Sequence, residues 1–572
     1  MNPWTLVNLK LIAKSISELH YEEVLKLESE KEGSYQLNLV SGVSYHFQGR
    51  VSAWGHVWVY PESITRQDKK DPTAAQFFID SLEETQMGEL TLGNFLEELN
   101  ATLYSDMEIL QKEKSSSEEM SSWDGEKLQT ILSGHPKLLL NKGRLGWNGK
   151  DLAQYAPEHG QTFQLHWILA HCENLQGSQL KSWDMEALLN TSFFGTEKER
   201  FQKLLKTYDL KTFHLLPVHP WQWENVIKLQ FQSELHDGRI IDLGVGGDLY
   251  RPQVSLRTLS NVSRPKELDI KLPLTILNTS CVRGLPQKYL TMTPALSVAL
   301  TNIISQDKLL SNAKVEVLAE TSAWGYTHPH FHQVKNAPYR YHEHLGAVWR
   351  ESVQGKLESH EKGILAAALF HQDEKGKTLI SAYAQNAGIE IKEWLKLYTQ
   401  FVIIPLYHLQ LKYGVGLVAH GQNVVVRLTH SRPSGVFLKD FHGDLRLSTE
   451  HKDIHKDFFG TLTSQLTHLP PEHLIHDLIT GHFITVLRFM AGALEESKEM
   501  NESDFYKTIS KELKTYLEKH PSTEKTNLLA KTFQRVLVNK VRFKIGYGDS
   551  SERPIPLLGS LLNNPLHPEN LL

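Results

Sequence analysis

Two short segments in the last third of the chain carry side chains suited to polyphosphate chemistry. The first is Ala419-His420-Gly421-Gln422-Asn423, and the second is Lys439-Asp440-Phe441-His442-Gly443-Asp444. A divalent cation held against a polyphosphate takes hard oxygen ligands. Asn423 and Asp440 are the natural candidates to supply them, with Asp444 a second carboxylate nearby. Between the segments, the run from Val424 to Leu428, the turn formers Ser431-Arg432-Pro433-Ser434-Gly435 and a second run from Val436 read as a β-hairpin.

The order of these parts parallels the magnesium-holding region of protein kinases and related phosphotransferases: a His-containing loop with an Asn, a hairpin, then Asp-Phe-x-Gly. One residue type differs. A kinase places an aspartate in the loop to receive the proton of the substrate hydroxyl, whereas His420-Gly421-Gln422-Asn423 offers a neutral glutamine. A carboxylate nucleophile, with an ordinary pKa of about 4, has no proton to give up at neutral pH. Its attack on phosphorus needs no base, so Gln422 tilts the reading towards carboxylate activation. The bland alternative is a polar hairpin with a capped turn.

A second constellation lies in the middle of the chain. Read as a strand, Gln253-Val254-Ser255-Leu256-Arg257-Thr258 places Ser255 and Arg257 on one face. After a loop, residues 268–280 put Leu268, Ile270, Leu272, Leu274 and Ile276 on one face, with Asp269, Lys271 and Thr275 opposite. Pro273 marks an edge or a bulge. Arg257, Lys271 and Arg283 supply cationic donors, and Ser255, Thr258 and Thr279 supply hydroxyls. A sheet with such a polar face suits a polyanion; an ordinary solvated face is the competing reading.

Weaker signals come from residues 132–147 and 215–225, each with a His-Pro step that fixes an extended backbone before a turn. Lys137, Lys142 and Arg144 form a compact basic loop, while His135 and His219 read by default as satisfied core or loop histidines. Other patterns fail. Gly376-Lys377-Thr378 lacks the upstream glycine of a nucleotide-binding P-loop, and Gly244-Val245-Gly246-Gly247 does not complete a dinucleotide fingerprint. His328, His330 and His332 would share a strand face but have no nearby carboxylate to orient them as metal ligands. His342-Glu343-His344 has the wrong spacing for a zinc-binding helix.

The elements that must position these residues differ in texture along the chain. At 572 residues, several subdomains are expected. The 40% hydrophobic and 22% charged content excludes a disordered chain, and a formal net charge of -5 excludes overall attraction to nucleic acid or anionic lipid. Residues 1–145 read as helical with an aromatic hairpin at 45–61. Residues 146–390 hold most of the strand-like runs, and 391–572 are helix-rich. Asn2-Pro3 starts a helix whose stripe is Trp4, Val7, Leu11, Ile12, Ile16 and Leu19. Ile391, Trp394, Leu395, Tyr398, Val402, Leu406 and Leu409 form another, with Pro405 as the place for a kink and Gly414 as the stop. The polar runs 111–122 and 495–503 read as solvated loops. Lys10, Lys14 and Glu18 rule out a signal peptide, no stretch reads as a bilayer span, and Cys172 and Cys281 read as reduced thiols, which together point to the cytoplasm.

At these same residues the sequence resembles the siderophore synthetases that work without a nonribosomal peptide machine (NIS synthetases), the IucA/IucC family. The motifs, in chain order, are LSGHPKLLLNKGRLGW, LPVHPWQWE, SLRTLSN, DIKLPLTILNTSCVRG, APYRYHEHLGAVWRE, AHGQN and LKDFHGD. The resemblance covers nearly the whole chain and is nearest to the aerobactin-type branch. It implies an α+β fold shaped like a cupped hand, with a helical thumb (1–145), β-rich fingers (146–390) and a helical palm (391–572). It also implies ATP-dependent conversion of a carboxylate to an acyl-adenylate with release of pyrophosphate, followed by attack of an amine that expels AMP. Ser255, Arg257, Thr258 and Lys271 would contact the nucleotide phosphates, and Arg283 and His420 would grip the carboxylic substrate. Gln422 and Asn423 would flank the adenylate, and Asp440 and Asp444 would bind magnesium or ribose. Lys142, Arg144 and His135 would add ATP contacts.

On that branch the donor would be citrate or citryl-hydroxamate, the acceptor the amine of N6-acetyl-N6-hydroxylysine, and the protein a homodimer or larger homo-oligomer without nucleic-acid or membrane partners. Residues 322–334 depart from the branch and would line the acceptor pocket, and the tail after Arg542 also drifts. The rivals are a synthetase or cyclase of succinyl-hydroxamate diamines of the alcaligin or desferrioxamine type, a small-molecule phosphotransferase, and a non-catalytic nucleotide-binding protein.

Overall fold

Asn2 caps the first helix, Pro3–Tyr21, as its place before Pro3 predicts: its side-chain oxygen accepts from the Trp4 amide at 2.7 Å. In the computed structural model, residues 1–570 are described except 113, 280, 335, 442 and 548–556. The expected hairpin is present as strands Ser44–Val51 and Val57–Val59, but it belongs to a five-stranded sheet that also takes in Glu28–Lys31, Ser34–Asn38 and Thr65–Arg66. The first helix and the long helix Glu89–Leu110 cover this sheet with a core that includes Ile12, Ile16, Tyr45, Phe77 and Leu99. The polar run 111–122 is not all loop. Ser116 caps a short helix, Ser117–Ser122, which buries Met120.

The middle of the chain builds an eight-stranded antiparallel sheet. Its spatial order is Leu175–Gln179, Glu320–Tyr326, Gly346–Arg350, Asp269–Lys271, Thr258–Asn261, Ile240–Pro252, Phe163–His171 and Phe213–Val218. Two expectations are corrected here. Residues 253–257 are a turn between Ile240–Pro252 and Thr258–Asn261, with Leu256 at φ +71, so Ser255 and Arg257 do not share a strand face. The run 268–280 is two strands rather than one. Asp269–Lys271 lies inside the large sheet, and after Leu272-Pro273 the chain leaves it to pair Leu274–Asn278 with Cys281–Arg283. Proline has no amide to give a ladder, which suits a point where the chain changes sheets. Asp269 and Lys271 are buried, so the competing reading of an ordinary solvated face does not hold for them.

A second mixed sheet joins Val315–Val317, Arg432–Leu438, Val424–Thr429 and Glu361–Leu365, so strands from both sides of residue 390 share it. The hairpin turns at His430 and Ser431, both at positive φ, as a two-residue connection between twisted strands requires. Helix Ile391–Tyr398 runs through a π-helical stretch, Thr399–Ile403, into Ile404–Tyr413, where Pro405 is accommodated and Gly414 at φ +60 ends it. The helical run Pro471–Glu496 is long and apolar enough to cross a membrane, contrary to the sequence expectation, but 89% of its apolar window is buried in the core.

Candidate functional site

Asp440 follows strand Arg432–Leu438 at φ +61, a left-handed conformation that an aspartate holds only where its surroundings fix it. They do. Lys271 Nζ donates to Oδ1 at 2.7 Å and Arg350 Nη1 to Oδ2 at 3.2 Å, with Lys439 Nζ 4.0 Å away. Burial opposes ionisation of Asp440, yet these three cations overcome it and hold the carboxyl well below its ordinary range. Burial lowers the Lys271 amine, with Asp440 acting to restore it and Arg257 to lower it further.

Behind Asp440 the charges continue inward. Arg350 Nη2 donates to Asp269 Oδ2 at 2.8 Å, and Gln253 Nε2 donates to that same oxygen at 2.9 Å and to Ser260 Oγ at 2.8 Å. The Ser260 hydroxyl then donates to Glu126 at 2.6 Å. Burial, followed by the nearby Asp269, pushes the Glu126 carboxyl up to about 7. Burial and then Arg350 bring the Lys439 amine down to about 8. Sequence reasoning missed Arg350, Glu126 and Gln253 as members of the site. The available signal was Arg350, a lone charge closing the apolar run Gly346–Arg350.

Asn423 Nδ2 donates to Asp444 Oδ2 at 3.1 Å and to Val418 O at 3.2 Å. Asn423, Lys439, Asp440 and Asp444 line one small cavity with Val418 and Ala419. Among the described residues no three His, Cys, Asp or Glu side chains converge on a metal position. Asn423, Asp440 and Asp444 are the oxygen donors on this cavity that a hard cation would take together with a ligand's own phosphates. His442 lies outside the described residues.

His420 Nδ1 accepts from the Gln422 amide at 3.2 Å, which leaves Nε2 to carry the proton. Burial lowers its pKa, so the ring is neutral at pH 7. Its loop is gripped by a π-helical stretch, Ile479–Leu487. There His482 Nδ1 donates to Ala419 O at 2.9 Å while its Nε2 accepts from the Tyr398 hydroxyl at 2.9 Å. A Cβ on Gly481 would stand 3.0 Å from the Ala419 amide nitrogen, so the close approach needs glycine. The His135 ring faces that of His420, edge to face with centroids 6.3 Å apart. His135 Nδ1 accepts from the Leu138 amide at 3.2 Å, and burial, then His420 and Lys14, keep the ring neutral. The loop carrying it is pinned from the first helix: Lys14 Nζ donates to Leu138 O at 2.5 Å, and Lys137 Nζ meets Glu22 at 2.7 Å.

The remaining expected residues divide. Arg257 Nη1 donates to Gly284 O, which ties the Ser255 turn to the end of strand Cys281–Arg283. Ser255 Oγ accepts from the Thr258 amide at 3.2 Å, and the buried Thr258 Oγ1 has no hydrogen-bond partner among the described residues. Arg283 is close enough to act electrostatically on His135, His420 and Glu98. Lys142 and Arg144 are engaged within the chain. Lys142 Nζ donates to Asp106 at 2.7 Å, and Arg144 makes a two-pronged contact with Glu158 at 2.5 and 2.8 Å. Both are buried, and their charges shape the loop. Arg542 is held by Glu98. His219 caps a short helix by accepting from the Trp221 amide at 3.1 Å. His328, His330 and His332 share no strand: they lie in a turn and a single 3-10 turn.

This geometry lies within a chain that is 36% identical to aerobactin synthase of Escherichia coli over 570 residues, covering 98% of each. The chain belongs to the IucA/IucC family. Residues 126–371 match the description "IucA / IucC family", and residues 392–549 match "Ferric iron reductase FhuF-like transporter". Among solved structures, the aerobactin synthetase IucC of a hypervirulent Klebsiella pneumoniae pathotype is 34% identical with a TM-score of 0.88, covering 99% of this chain and 98% of its own. The ATP-bound aerobactin synthetase IucA of the same pathotype shares the fold at 17% identity and TM-score 0.76, covering 98% and 99%. The fold is therefore the mixed helix-and-sheet NIS synthetase fold, and the chain is a siderophore synthetase, an enzyme that ligates.

Proposed function

We propose that this synthetase uses ATP and magnesium to adenylate a carboxylate of citrate or of a citryl-hydroxamate. It then joins that carboxyl to the amine of N6-acetyl-N6-hydroxylysine, giving aerobactin or a related hydroxamate siderophore. The observation that carries the reading is the Lys271–Asp440–Arg350 cluster, set beside Asn423 and Asp444 on a loop whose base position is the neutral Gln422. Cations fixed in a buried site stabilise developing negative charge without reorganising. In the first step a carboxylate oxygen attacks the α-phosphorus and pyrophosphate leaves; in the second the amine attacks the acyl carbon, AMP leaves and the amine loses a proton.

Lys271 and Arg257, with Ser255 and Thr258, face the phosphates in this reading, and Arg283 and neutral His420 hold the carboxylic substrate. Asp440, Asp444 and Asn423 would hold the magnesium, which when bound neutralises phosphate charge. Lys142 and Arg144 act by shaping the loop that presents His135. The hand divides into thumb, fingers and palm at about residues 145 and 390, and we place the enzyme in the cytoplasm as a homo-oligomer. The test is an assay of nucleotide products across citrate, citryl-hydroxamate and succinyl-hydroxamate donors. AMP and pyrophosphate formed only with the citrate-type donors is the expected result. ADP alone, or no turnover, would overturn the reading, and turnover with only the succinyl donor would move the enzyme to the diamine class.

A further inference from the structure

His344 is 4% exposed, and neither ring nitrogen has a hydrogen-bond partner among the described residues. A buried imidazole with both nitrogens orphaned is rare in a folded chain and calls for a missing partner. Its neighbours are aromatic: Tyr341 at 5.5 Å, Phe331 at 6.2 Å and Phe231 at 6.5 Å between ring centroids, with Phe331 stacked on Tyr341. Burial first, then His328 and Arg340, bring the His344 ring down to about 4, so at neutral pH it has one donor and one acceptor to satisfy.

This aromatic cluster adjoins the site already described. The His344 carbonyl accepts from Gln222 Nε2 at 2.9 Å, and that side chain also donates to Thr275 on the strand leading towards Arg283. The preceding residue, Glu343, accepts from the Leu285 amide at 3.2 Å and packs so closely on Gly284 that a Cβ there would lie 2.3 Å from its Oε2. Gly284 in turn receives Arg257. The aromatic cluster thus begins one residue from a contact with the segment that carries Arg283.

We propose that His344, walled by Phe231, Phe331 and Tyr341, is the subsite for the uncharged hydroxamate end of the acceptor amine; this rests on the function proposed above. A carboxylate offers no donor to the unprotonated ring nitrogen, and an ammonium offers no acceptor to the protonated one. A hydroxamic acid carries both, an O–H donor and a carbonyl acceptor, and so satisfies the ring in either tautomer. Its methylene stem and acyl group suit the aromatic walls.

The test compares His344→Phe, which keeps a ring and removes both nitrogens, with His344→Gln, which keeps a donor and an acceptor. Amide formation is measured with N6-acetyl-N6-hydroxylysine and with L-norleucine, which has the α-amine and stem but no hydroxamate. Hydroxylamine trapping without acceptor reports carboxylate activation separately. His344→Phe is expected to lose about ten-fold or more in kcat/KM for the hydroxamate amine, chiefly through KM, and to lose the preference over norleucine. Trapping should persist, and His344→Gln should keep most of the preference. An undiminished preference in His344→Phe would show that the ring is satisfied by water alone and would overturn the subsite. A parallel loss of trapping would show a structural role and would overturn it too. Calorimetric binding of the hydroxamate amine to wild type and to His344→Phe decides the subsite even if wild type traps nothing. A failure of trapping in wild type counts against the proposed reaction, whereas equal affinity of the two proteins for the amine, or no binding by wild type, counts against the subsite.

Discussion

Replacing Arg350 by methionine is expected to destabilise the enzyme by about 3–5 kcal/mol at neutral pH and to abolish turnover, because it leaves two carboxylates buried without their shared cation. Arg350 is 2% exposed and reaches Asp269 with one nitrogen and Asp440 with the other. The penalty should depend on pH with a definite sign. Asp440 keeps Lys271 and Lys439 to hold it low, but burial already raises the Asp269 carboxyl despite Arg350. Without Arg350, the Asp269 carboxyl rises further above the unfolded value. The folded protein then binds more protons than the unfolded one, and its stability recovers as pH falls towards that value. The deficit relative to wild type should therefore be largest at pH 7 to 8 and shrink near pH 5. Urea unfolding of both proteins across that range measures it. A deficit that is constant with pH would mean that packing, rather than orphaned charge, is what the arginine supplies.

Lys271→Met is expected to act differently. Lys271 gives Asp440 one of its two direct charge partners, while Arg350 remains to hold the other oxygen. Loss of a preorganised cation at a developing charge lowers turnover by about 100- to 1,000-fold. The fold should survive, because Asp440 keeps a cation and Asp269 keeps Arg350. Initial rates of pyrophosphate release at saturating carboxylate, together with a thermal melt, separate the two effects. Turnover within a few-fold of wild type would remove Lys271 from the phosphate site.

Where the sequence was informative, a local rule carried the reading. Asn2 before Pro3 marks a helix start, Gly414 a helix stop, and two apolar runs around a turn bring Asn423 and Asp440 to the same cavity. Where it failed, the deciding interaction was non-local or the local signal was absent. Leu256 takes a positive φ without being glycine, so nothing in Ser255-Leu256-Arg257 announces a turn. Asp269 and Lys271 alternate with apolar residues as a solvated face would, yet both sides of that central strand are buried. Their alternation encodes a buried ion cluster whose partner, Arg350, is 81 residues from Asp269 and 90 from Asp440. Strand Glu28–Lys31 is exposed at every position, so it has no period to read. His135 and Lys137 illustrate the last kind of failure. Their loop sits where it does because Lys14, Glu18 and Glu22, spaced at i, i+4 and i+8 along the first helix and its cap, hold it from beneath.

The most direct test of carboxylate activation at Asp440 and Lys271 is the fate of oxygen-18 placed in the carboxylate of the donor. Attack of that carboxylate on the α-phosphorus, followed by amide formation, leaves one labelled oxygen in AMP. Mass spectrometry of the nucleotide should therefore show AMP heavier by one oxygen-18 in step with amide product. Label appearing in inorganic phosphate beside ADP, or AMP with no label, would contradict an acyl-adenylate.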